Sequence, residues 1–197
     1  MDIIICTHNA GKRTELARIL SPLGINVLLP HEAGFILNEV EETGNTFAEN
    51  ARLKAFSGVM DTGMPCVADD SGLCVSALGG RPGLYTARYG GEELPYPEKI
   101  KLLVKELDGA SDRSAYFISS VCCAFPDGVT VTAEGRCDGE IGFEPQGENG
   151  FGFDPIFFHG GRAFATLTAE EKDAVSHRGN ALRALAQKLR DALNPEN

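Results

Sequence analysis

Hydrophobic and polar residues follow one another along the chain in patterns that predict both strands and helices. The apolar run 3–6 is typical of a buried strand, and a helix follows from about Lys12, because apolar residues recur there at helical spacing. These are Leu16, Ile19, Leu20 and Leu23. Pro22 and Gly24 mark the end of this helix, and 26–29 is a short second strand.

The same periodicities continue to the end of the chain. Thr46 with Glu49, and Thr168 with Glu171, are capping boxes that each open a helix. A further helix is predicted from Pro97, and a final helix is striped by Leu182, Leu185, Ala186, Leu189 and Leu193. Strands are predicted immediately before Asp69 and at 116–125, 129–133 and 156–158. Strands joined both by helices and by a hairpin predict an α/β fold with a mixed rather than a purely parallel sheet.

Length and composition indicate one globular domain over 1–197, because 197 residues with 43% hydrophobic content can bury a substantial core. The net charge of −10 opposes binding to polymeric nucleic acid and to anionic membranes, so neither is expected as a partner. A small anionic substrate is compatible with this charge where basic residues or a divalent cation collect. No apolar run approaches the ~20 residues of a membrane span, and the first residues lack the basic region of a signal peptide. A cytoplasmic location is expected.

The six cysteines indicate neither a zinc site nor a thioredoxin-like motif, because no two of them form a Cys-x-x-Cys pair. Cys122 and Cys123 lie inside an apolar, strand-like run. Buried and reduced thiols are the expected state there.

Two adjacent carboxylates, Asp69 and Asp70, follow the apolar pair at 66–67. We expect the strand to end here with one carboxylate outward and the other inward. Ser71 and Gly72 are expected to turn the chain tightly and to leave N–H groups and a hydroxyl for a ligand. Carboxylates held in this way suit a hard cation and a water molecule, which phosphate chemistry requires. The alternative is a solvated turn.

The segment from Thr7 to Lys12 joins the first strand to the first helix. Backbone N–H groups at a helix N-terminus attract phosphate, and Lys12 adds a positive charge. It is not a Walker A loop, because that motif needs an earlier glycine and a hydroxyl residue where Arg13 stands. A plain connecting loop is the alternative.

Glu41 and Glu42 precede the second helix, where acids favour the helix dipole. Alternatively, one of them supplies a second carboxylate to a metal ion held by Asp70. Asn50 and Lys54 are neighbours on the polar face of that helix. Lys54 would be a third phosphate contact if the helix borders a site, and otherwise a solvated surface residue.

Phe151 and Phe153 alternate with glycines ahead of Asp154. Either ring could lie flat on a nucleotide base, a contact worth ~1–3 kcal/mol, or could plug the entrance of a strand. Lys172 and the pair His177-Arg178 fall in the predicted break before the last helix. Side by side in a loop, His177 and Arg178 could read ring oxygens, since arginine only donates hydrogen bonds. An ordinary helix start is the alternative.

Together these motifs resemble the inosine/xanthosine triphosphate pyrophosphatase family, enzymes that remove non-canonical purine nucleotides. The resemblance runs from Ile4 to the last helix, with the motifs in the family's order. They are THNAGK (7–12), EETG (41–44), Asn50-Ala51 through Lys54-Ala55, ADDSGL (68–73), GGRPG (79–83), Tyr85, ARY (87–89), GFGFDPIF (150–157) and SHRG (176–179). Phe153 stands where many relatives have tyrosine, and His8 where some have glycine.

The resemblance implies a fold, a reaction and an assembly. The implied fold is a two-lobed α/β protein with an elongated mixed β-sheet flanked by helices and a nucleotide cleft between the lobes. The implied reaction converts purine nucleoside triphosphates such as ITP, dITP and XTP, with water and Mg²⁺, to the monophosphate and pyrophosphate. The implied assembly is a homodimer.

Roles carry over by position from the same resemblance. Asp70 would be the general base and a metal contact, and Glu41 the other metal carboxylate. The phosphates would be held by Thr7, His8, Asn9, Ala10, Gly11, Lys12, Lys54 and Ser71. The sugar and base would be held by Phe151, Gly152, Phe153, Asp154, Lys172, His177 and Arg178.

Three other functions compete with this interpretation. A Maf-like pyrophosphatase for modified pyrimidine nucleotides is disfavoured by the motifs at 151–154 and 176–179. A non-catalytic nucleotide-binding module would not need Asp70, Glu41 and Lys12 together. A haloacid-dehalogenase phosphatase needs two aspartates separated by one residue, which the adjacent pair does not provide.

Overall fold

The strands form one mixed β-sheet in the computed structural model, which describes residues 1–7 and 9–193. Seven strands belong to the sheet in this described part: β1 (Asp2–Ile5), β2 (Asn26–Leu28), β3 (Cys66–Val75), β4 (Ser114–Ala124), β5 (Thr130–Ile141), β6 (Phe157–His159) and β7 (Arg162–Ala163). Their order is β2-β1-β3-β4-β5-β6-β7. β1 is parallel to β2 and β3, whereas β6 is antiparallel to β5 and β7. The predicted α/β fold with a mixed sheet is confirmed.

Helices flank the sheet, and polar side chains determine where several of them begin. Within the described residues they are α1 (Ala10–Leu20), α2 (Phe47–Thr62), α3 (Tyr96–Glu106), α4 (Ala169–Val175) and α5 (His177–Leu193). Thr168 and Glu171 form both halves of the predicted capping box at α4. At α2, Thr46 accepts the N–H of Glu49 as predicted, at 3.1 Å. The second half of that box is wrong, because the Glu49 carboxylate accepts instead from the N–H of Asn45, at 2.6 Å.

The chain divides into two compact units. The first contains Met1–Asp70, Ser119–Gly135 and the chain from His177, and the second contains Ser71–Ile118 and Arg136–Ser176. The single domain over 1–197 and the nucleotide cleft stay predictions.

In the first unit, β1 is buried on both faces. Ile3 and Ile5 belong to an apolar cluster with the predicted stripes of α1 and α5, and Ile4 packs instead with Ala51 and Ala55 of α2. α5 lies close to β5 because Gly135 has no side chain. A Cβ at Gly135 would lie 2.2 Å from the carbonyl oxygen of His177 and 2.3 Å from the nitrogen of Ala181.

The second unit has its own core beneath α3. Ile100 and Leu103 of this helix, with Leu107 directly after it, share a buried cluster with Phe117 and Phe157. The Phe157 ring centroid lies 4.7 Å from that of Phe117, in edge-to-face geometry. Such pairs add to the free energy of burial, so this contact contributes to the stability of the unit.

β3 is longer than the sequence indicates. Asp69, Asp70 and Ser71 lie inside it, and the predicted strand end and tight turn at Ser71-Gly72 are wrong. The strand continues because β4 remains its neighbour in the sheet after β1 has ended. Asp69 and Asp70 point to opposite faces, but both are buried, with 1% and 7% of their surface exposed. The predicted alternation of the two side chains between faces therefore holds, although neither face exposes its carboxylate.

Two further findings concern the helices and the cysteines of the described residues. Within residues 1–7 and 9–193, no helix is both long and apolar enough to cross a membrane. All six cysteines are buried free thiols, Cys122 and Cys123 among them.

Candidate functional site

Short polar side chains shape the turn from β1 into α1. Thr7 Oγ1 accepts the N–H of Asn9 at 3.2 Å, and Asn9 Oδ1 accepts the N–H of Lys12 at 3.0 Å. The N–H groups at a helix N-terminus carry partial positive charge, which favours an anion. This turn brings together five predicted phosphate contacts: Thr7, Asn9, Ala10, Gly11 and Lys12. His8, the sixth, lies outside the described residues.

Asp69 is buried among cations in the first unit. Its Oδ2 lies 3.1 Å from Lys12 Nζ and accepts a hydrogen bond from Arg178 Nε at 3.1 Å. Arg178 also pairs with Glu15 of α1 through Nη1. Among residues 1–7 and 9–193, Asp69 Oδ1 has no hydrogen-bond partner. The carboxylate therefore links the α1 turn to the start of α5.

Asp70 lies on the opposite face of β3, against α2. Its Oδ1 is 3.0 Å from Lys54 Nζ, and its Oδ2 accepts a hydrogen bond from Asn50 Nδ2 at 3.1 Å. Lys54 Nζ also lies 2.7 Å from Glu42 Oε1 in the acidic segment before α2. Side chains of α2 thus hold both oxygens of Asp70.

Different surroundings shift the two neighbouring aspartates in opposite directions. Burial favours the neutral acid at Asp69, but the charges of Lys12 and Arg178 outweigh it and hold the pKa of Asp69 well below its usual value. At Asp70, burial raises the pKa above its usual value, and Lys54 and Lys12 offset only part of that rise. Asp69 is therefore firmly ionised, whereas Asp70 is a carboxylate whose charge is incompletely compensated.

Burial also acts on the two lysines. It lowers the pKa of Lys12, despite the nearby charge of Asp69. At Lys54 burial acts in the same direction, but Asp70, Asp69 and Glu42 outweigh it and raise the pKa. The pKa values of the two lysines are thus shifted in opposite directions.

The donors around Asp70 fit a magnesium ion. On this face of β3, two carboxylates, Glu42 and Asp70, share the ammonium group of Lys54. Glu41 adds an exposed carboxylate. Mg²⁺ prefers oxygen ligands and is commonly held by one or two carboxylates with substrate phosphates. Within residues 1–7 and 9–193, no group of three or more His, Cys, Asp and Glu side chains is arranged to hold a metal ion.

A second cluster, in the second unit, surrounds Asp154. Its Oδ2 accepts the N–H of Phe151 at 2.8 Å and lies 2.5 Å from Lys172 Nζ. That ammonium group is 4.8 Å from the centre of the Phe151 ring. The predicted residues Phe151, Asp154 and Lys172 are thus together, with Gly152 in the same turn.

Phe153 occupies a different environment from Phe151. Its ring is only 2% exposed and makes edge contacts with Tyr89 and Tyr96 in the core of the second unit. Phe151 is half-buried. Of the two predicted stacking residues, Phe151 is the one with an accessible ring, and Phe153 packs the core beneath it.

His177 and Arg178 do not lie in a loop, and that prediction is wrong. They are the first residues of α5, and Lys172 lies inside α4, so that Ser176 alone separates the two helices. An extended backbone at this one residue is enough to change the direction of the chain. His177 and Arg178 belong to the first unit, whereas Ser71, on β3, belongs to the second.

Three residues of the first-unit cluster are missing from the predicted site: Glu15, Glu42 and Asn50. Glu15 is a charged residue beside the apolar stripe of α1, and its 5% exposure shows that it is buried with that stripe. A charged residue next to buried apolar ones is expected to pair with another charged or polar group, but the sequence does not identify that group. The sequence indicates Asn50 as the helical neighbour of Lys54 and as part of the motif Asn50-Ala51, but it assigns Asn50 no role.

Carboxylates and lysines lie together where strand β1 ends beside β3 in the mixed sheet. This arrangement defines an α/β protein with a charged site at the end of a parallel strand. More particularly, the chain belongs to the Ham1 family, whose model matches residues 3–188. The family resemblance predicted from the motifs is confirmed.

Individual relatives cover nearly the full chain. A dITP/XTP pyrophosphatase from an Exiguobacterium species is 46% identical over 195 residues, which are 96% of this chain and 97% of the relative. The solved structure of a HAM1 protein from Coxiella burnetii has a TM-score of 0.86 and 38% identity, covering 97% of this chain and 99% of that one. A nucleoside-triphosphatase / dITP/XTP pyrophosphatase structure from Mycobacterium abscessus has a TM-score of 0.73 and 44% identity, covering 96% and 99%.

Proposed function

We propose that this protein is a nucleoside triphosphate pyrophosphatase that hydrolyses the non-canonical purine nucleotides ITP, dITP and XTP to the monophosphate and pyrophosphate, with Mg²⁺. The observation that carries the proposal is the buried Asp70 carboxylate, held by Lys54 and Asn50. The names of relatives at 43–46% identity, which are dITP/XTP pyrophosphatases, support the substrate class.

The first unit supplies the groups for the phosphates. The N–H groups that begin α1 and the ammonium groups of Lys12 and Lys54 are donors suited to phosphate oxygens. Both lysines are paired with aspartates here, Lys12 with Asp69 and Lys54 with Asp70. Each ammonium group has three donors, so a triphosphate oxygen would join the aspartate as a further partner of each lysine.

Asp70 would remove the proton of the attacking water. A carboxylate with a raised pKa is a better base than an ordinary one, and Lys54 keeps it oriented. Glu41 and Asp70 would hold Mg²⁺, which, when bound, neutralises phosphate charge and aligns the phosphates for attack.

The cluster in the second unit supports recognition of the base and sugar. The half-buried ring of Phe151 offers a stacking face, with Asp154 and Lys172 beside it as polar partners. His177 and Arg178 are proposed for the base as well. Arg178 is fully buried and paired with two carboxylates, so its part in base choice remains a prediction.

Product analysis over a panel of nucleotides tests the proposal. ITP, dITP, XTP, ATP, GTP and modified pyrimidine triphosphates are incubated with enzyme and Mg²⁺. Pyrophosphate and a monophosphate from the first three, with slow turnover of the others, is the expected result. Preferred cleavage of modified pyrimidines would point to a Maf-like enzyme. Orthophosphate with a diphosphate would show attack at a different bond, and no turnover would leave a nucleotide-binding module.

We also propose a cytoplasmic homodimer. Family membership supports the dimer, and the six free thiols agree with a reducing compartment. A mass in solution close to twice the 21.1 kDa of the chain would support the dimer, and a mass of one chain would contradict it.

A further inference from the structure

Asn50 connects two parts of the candidate site through one amide group. Its Nδ2 donates to Asp70 Oδ2 at 3.1 Å, and its Oδ1 accepts the N–H of Gly44 at 2.8 Å. A carboxylate can only accept and a backbone N–H can only donate, so these partners fix the orientation of the amide. The residue is 2% exposed, so solvent does not compete for either bond.

Lys54 makes a parallel bridge one turn further along α2. Its Nζ lies 3.0 Å from Asp70 Oδ1 and 2.7 Å from Glu42 Oε1. The two side chains therefore each hold one oxygen of Asp70 and one point of the segment 42–44. A single face of α2 fixes the carboxylate and the acidic segment relative to each other.

The acidic segment approaches α2 too closely for an ordinary side chain at Gly44. A Cβ there would lie 2.6 Å from Asn50 Oδ1 and 2.7 Å from the Cβ of Glu49. Gly44 thus permits the hydrogen bond to Asn50, and the bond in turn holds the segment that carries Glu41.

We infer that Asn50 is a positioning residue of this site, which holds the Asp70 carboxylate in one orientation and keeps the acidic segment bearing Glu41 in place beside it. The inference rests on the proposed function, because it assigns Asn50 to the chemistry of Asp70 and Glu41. No other side chain of similar size supplies both bonds. Aspartate keeps an acceptor for Gly44 but loses the donor to Asp70, and leucine loses both.

The test compares Asn50→Asp and Asn50→Leu with wild type and a matched control. The control is Asn38→Ala, because Asn38 also ties the segment before α2 to that helix. Its Nδ2 donates to Asp61 Oδ1 at 2.6 Å, a bond that alanine removes, and its backbone N–H donates to Asp61 Oδ2 at 2.9 Å, a bond that alanine keeps. For each protein, kcat and KM are measured separately with ITP. Hydrogen exchange at the Gly44 amide is measured in the metal-free protein.

Misplacement of a catalytic group by about 1 Å can cost ~10²-fold in rate, so both Asn50 variants should lose kcat on that order with a much smaller change in KM. The Gly44 amide should exchange faster in Asn50→Leu and stay protected in Asn50→Asp, whose carboxylate still accepts its hydrogen bond. If Asn50→Leu folds poorly, the kcat of Asn50→Asp still tests the inference, because this variant loses only the bond to Asp70. Asn38→Ala should keep the wild-type kcat.

The outcomes separate the two proposals. A wild-type protein that hydrolyses none of the nucleotides would remove the proposed function, while unchanged exchange at Gly44 in Asn50→Leu would by itself overturn the positioning inference. With an active wild type, the inference is also overturned if both Asn50 variants keep full kcat, or if Asn38→Ala loses as much.

Discussion

At the scale of single residues, Asp69 and Asp70 show how one peptide bond can separate two electrostatic environments. Asp69 faces Lys12 and Arg178, which keep it charged, whereas Asp70 faces one lysine and one neutral amide. A permanently charged group suits an ion-pair network, and a group whose pKa is raised by burial suits proton transfer. The two side chains can therefore be separated experimentally by stability and by turnover.

Asp69→Asn is expected to destabilise the protein at neutral pH, because it leaves two buried cations with one fewer counter-charge. Breaking a buried ion pair costs about 3–5 kcal/mol, measurable by urea unfolding. The folded pKa of Asp69 lies below its unfolded value, so its stabilising effect is present above about pH 4 and is lost as pH falls further. The gap between wild type and variant should shrink below that pH. A gap of constant size from pH 7 to pH 3 would contradict the ion-pair role.

Asp70→Asn is expected to reduce kcat for ITP by ~10²–10⁴-fold, the usual effect of losing a positioned base. Burial raises the pKa of Asp70, so its charge does not stabilise the fold as that of Asp69 does, and the melting temperature should change little. Asp112→Asn, which alters an exposed carboxylate, serves as the matched control and should retain full activity. If Asp70→Asn stays within a few-fold of wild type, another group must remove the proton, and Asp69 would be the next residue to test.

At the scale of elements, the close approach of α5 to β5 at Gly135 places the start of that helix. The two nearest neighbours of a Cβ at this position are backbone atoms of α5, which cannot turn away as a flexible side chain could. Gly135→Ala is therefore expected to destabilise the protein by about 1–3 kcal/mol, the usual range for overpacking. Thr132→Ala, at an exposed position of the same strand, is the control for urea unfolding. Equal stability of the two variants would show that α5 yields to the added methyl group.

Some features of the elements can be predicted from the local sequence, and others cannot. Helix starts at Thr46 and Thr168 depend on residues within one turn, and the local pattern identified them. The length of β3 depends on its neighbour β4, which no local pattern reveals. The pairing of Arg178 with Glu15 joins residues 163 positions apart, so the chemistry of each was readable but their partnership was not. Tertiary packing buries Phe153 and leaves Phe151 partly exposed. The sequence does not reveal this difference, so it predicts either ring as the one that stacks on a base.

At the scale of the whole molecule, an acidic chain acts on an acidic substrate. The net charge is −10, and the carboxylates around Asp70 add a local excess that repels a triphosphate. A divalent cation would remove this repulsion. Excess chelator is therefore expected to abolish ITP hydrolysis, and added Mg²⁺ to restore it. Undiminished turnover in chelator would exclude the magnesium proposal while leaving the fold and family unchanged.

Reaction of the buried cysteines with a reagent can report when the interior of the protein becomes exposed to solvent. The sequence contains no tryptophan, so the commonest fluorescence signal of unfolding is absent. Burial raises the pKa of Cys122 to about 11 and that of Cys123 to about 12, and a thiol reacts only as its thiolate. A colorimetric thiol reagent should therefore modify the native protein slowly and all six positions rapidly in denaturant. The rate of colour development without denaturant then measures how often the interior of the protein becomes accessible to solvent.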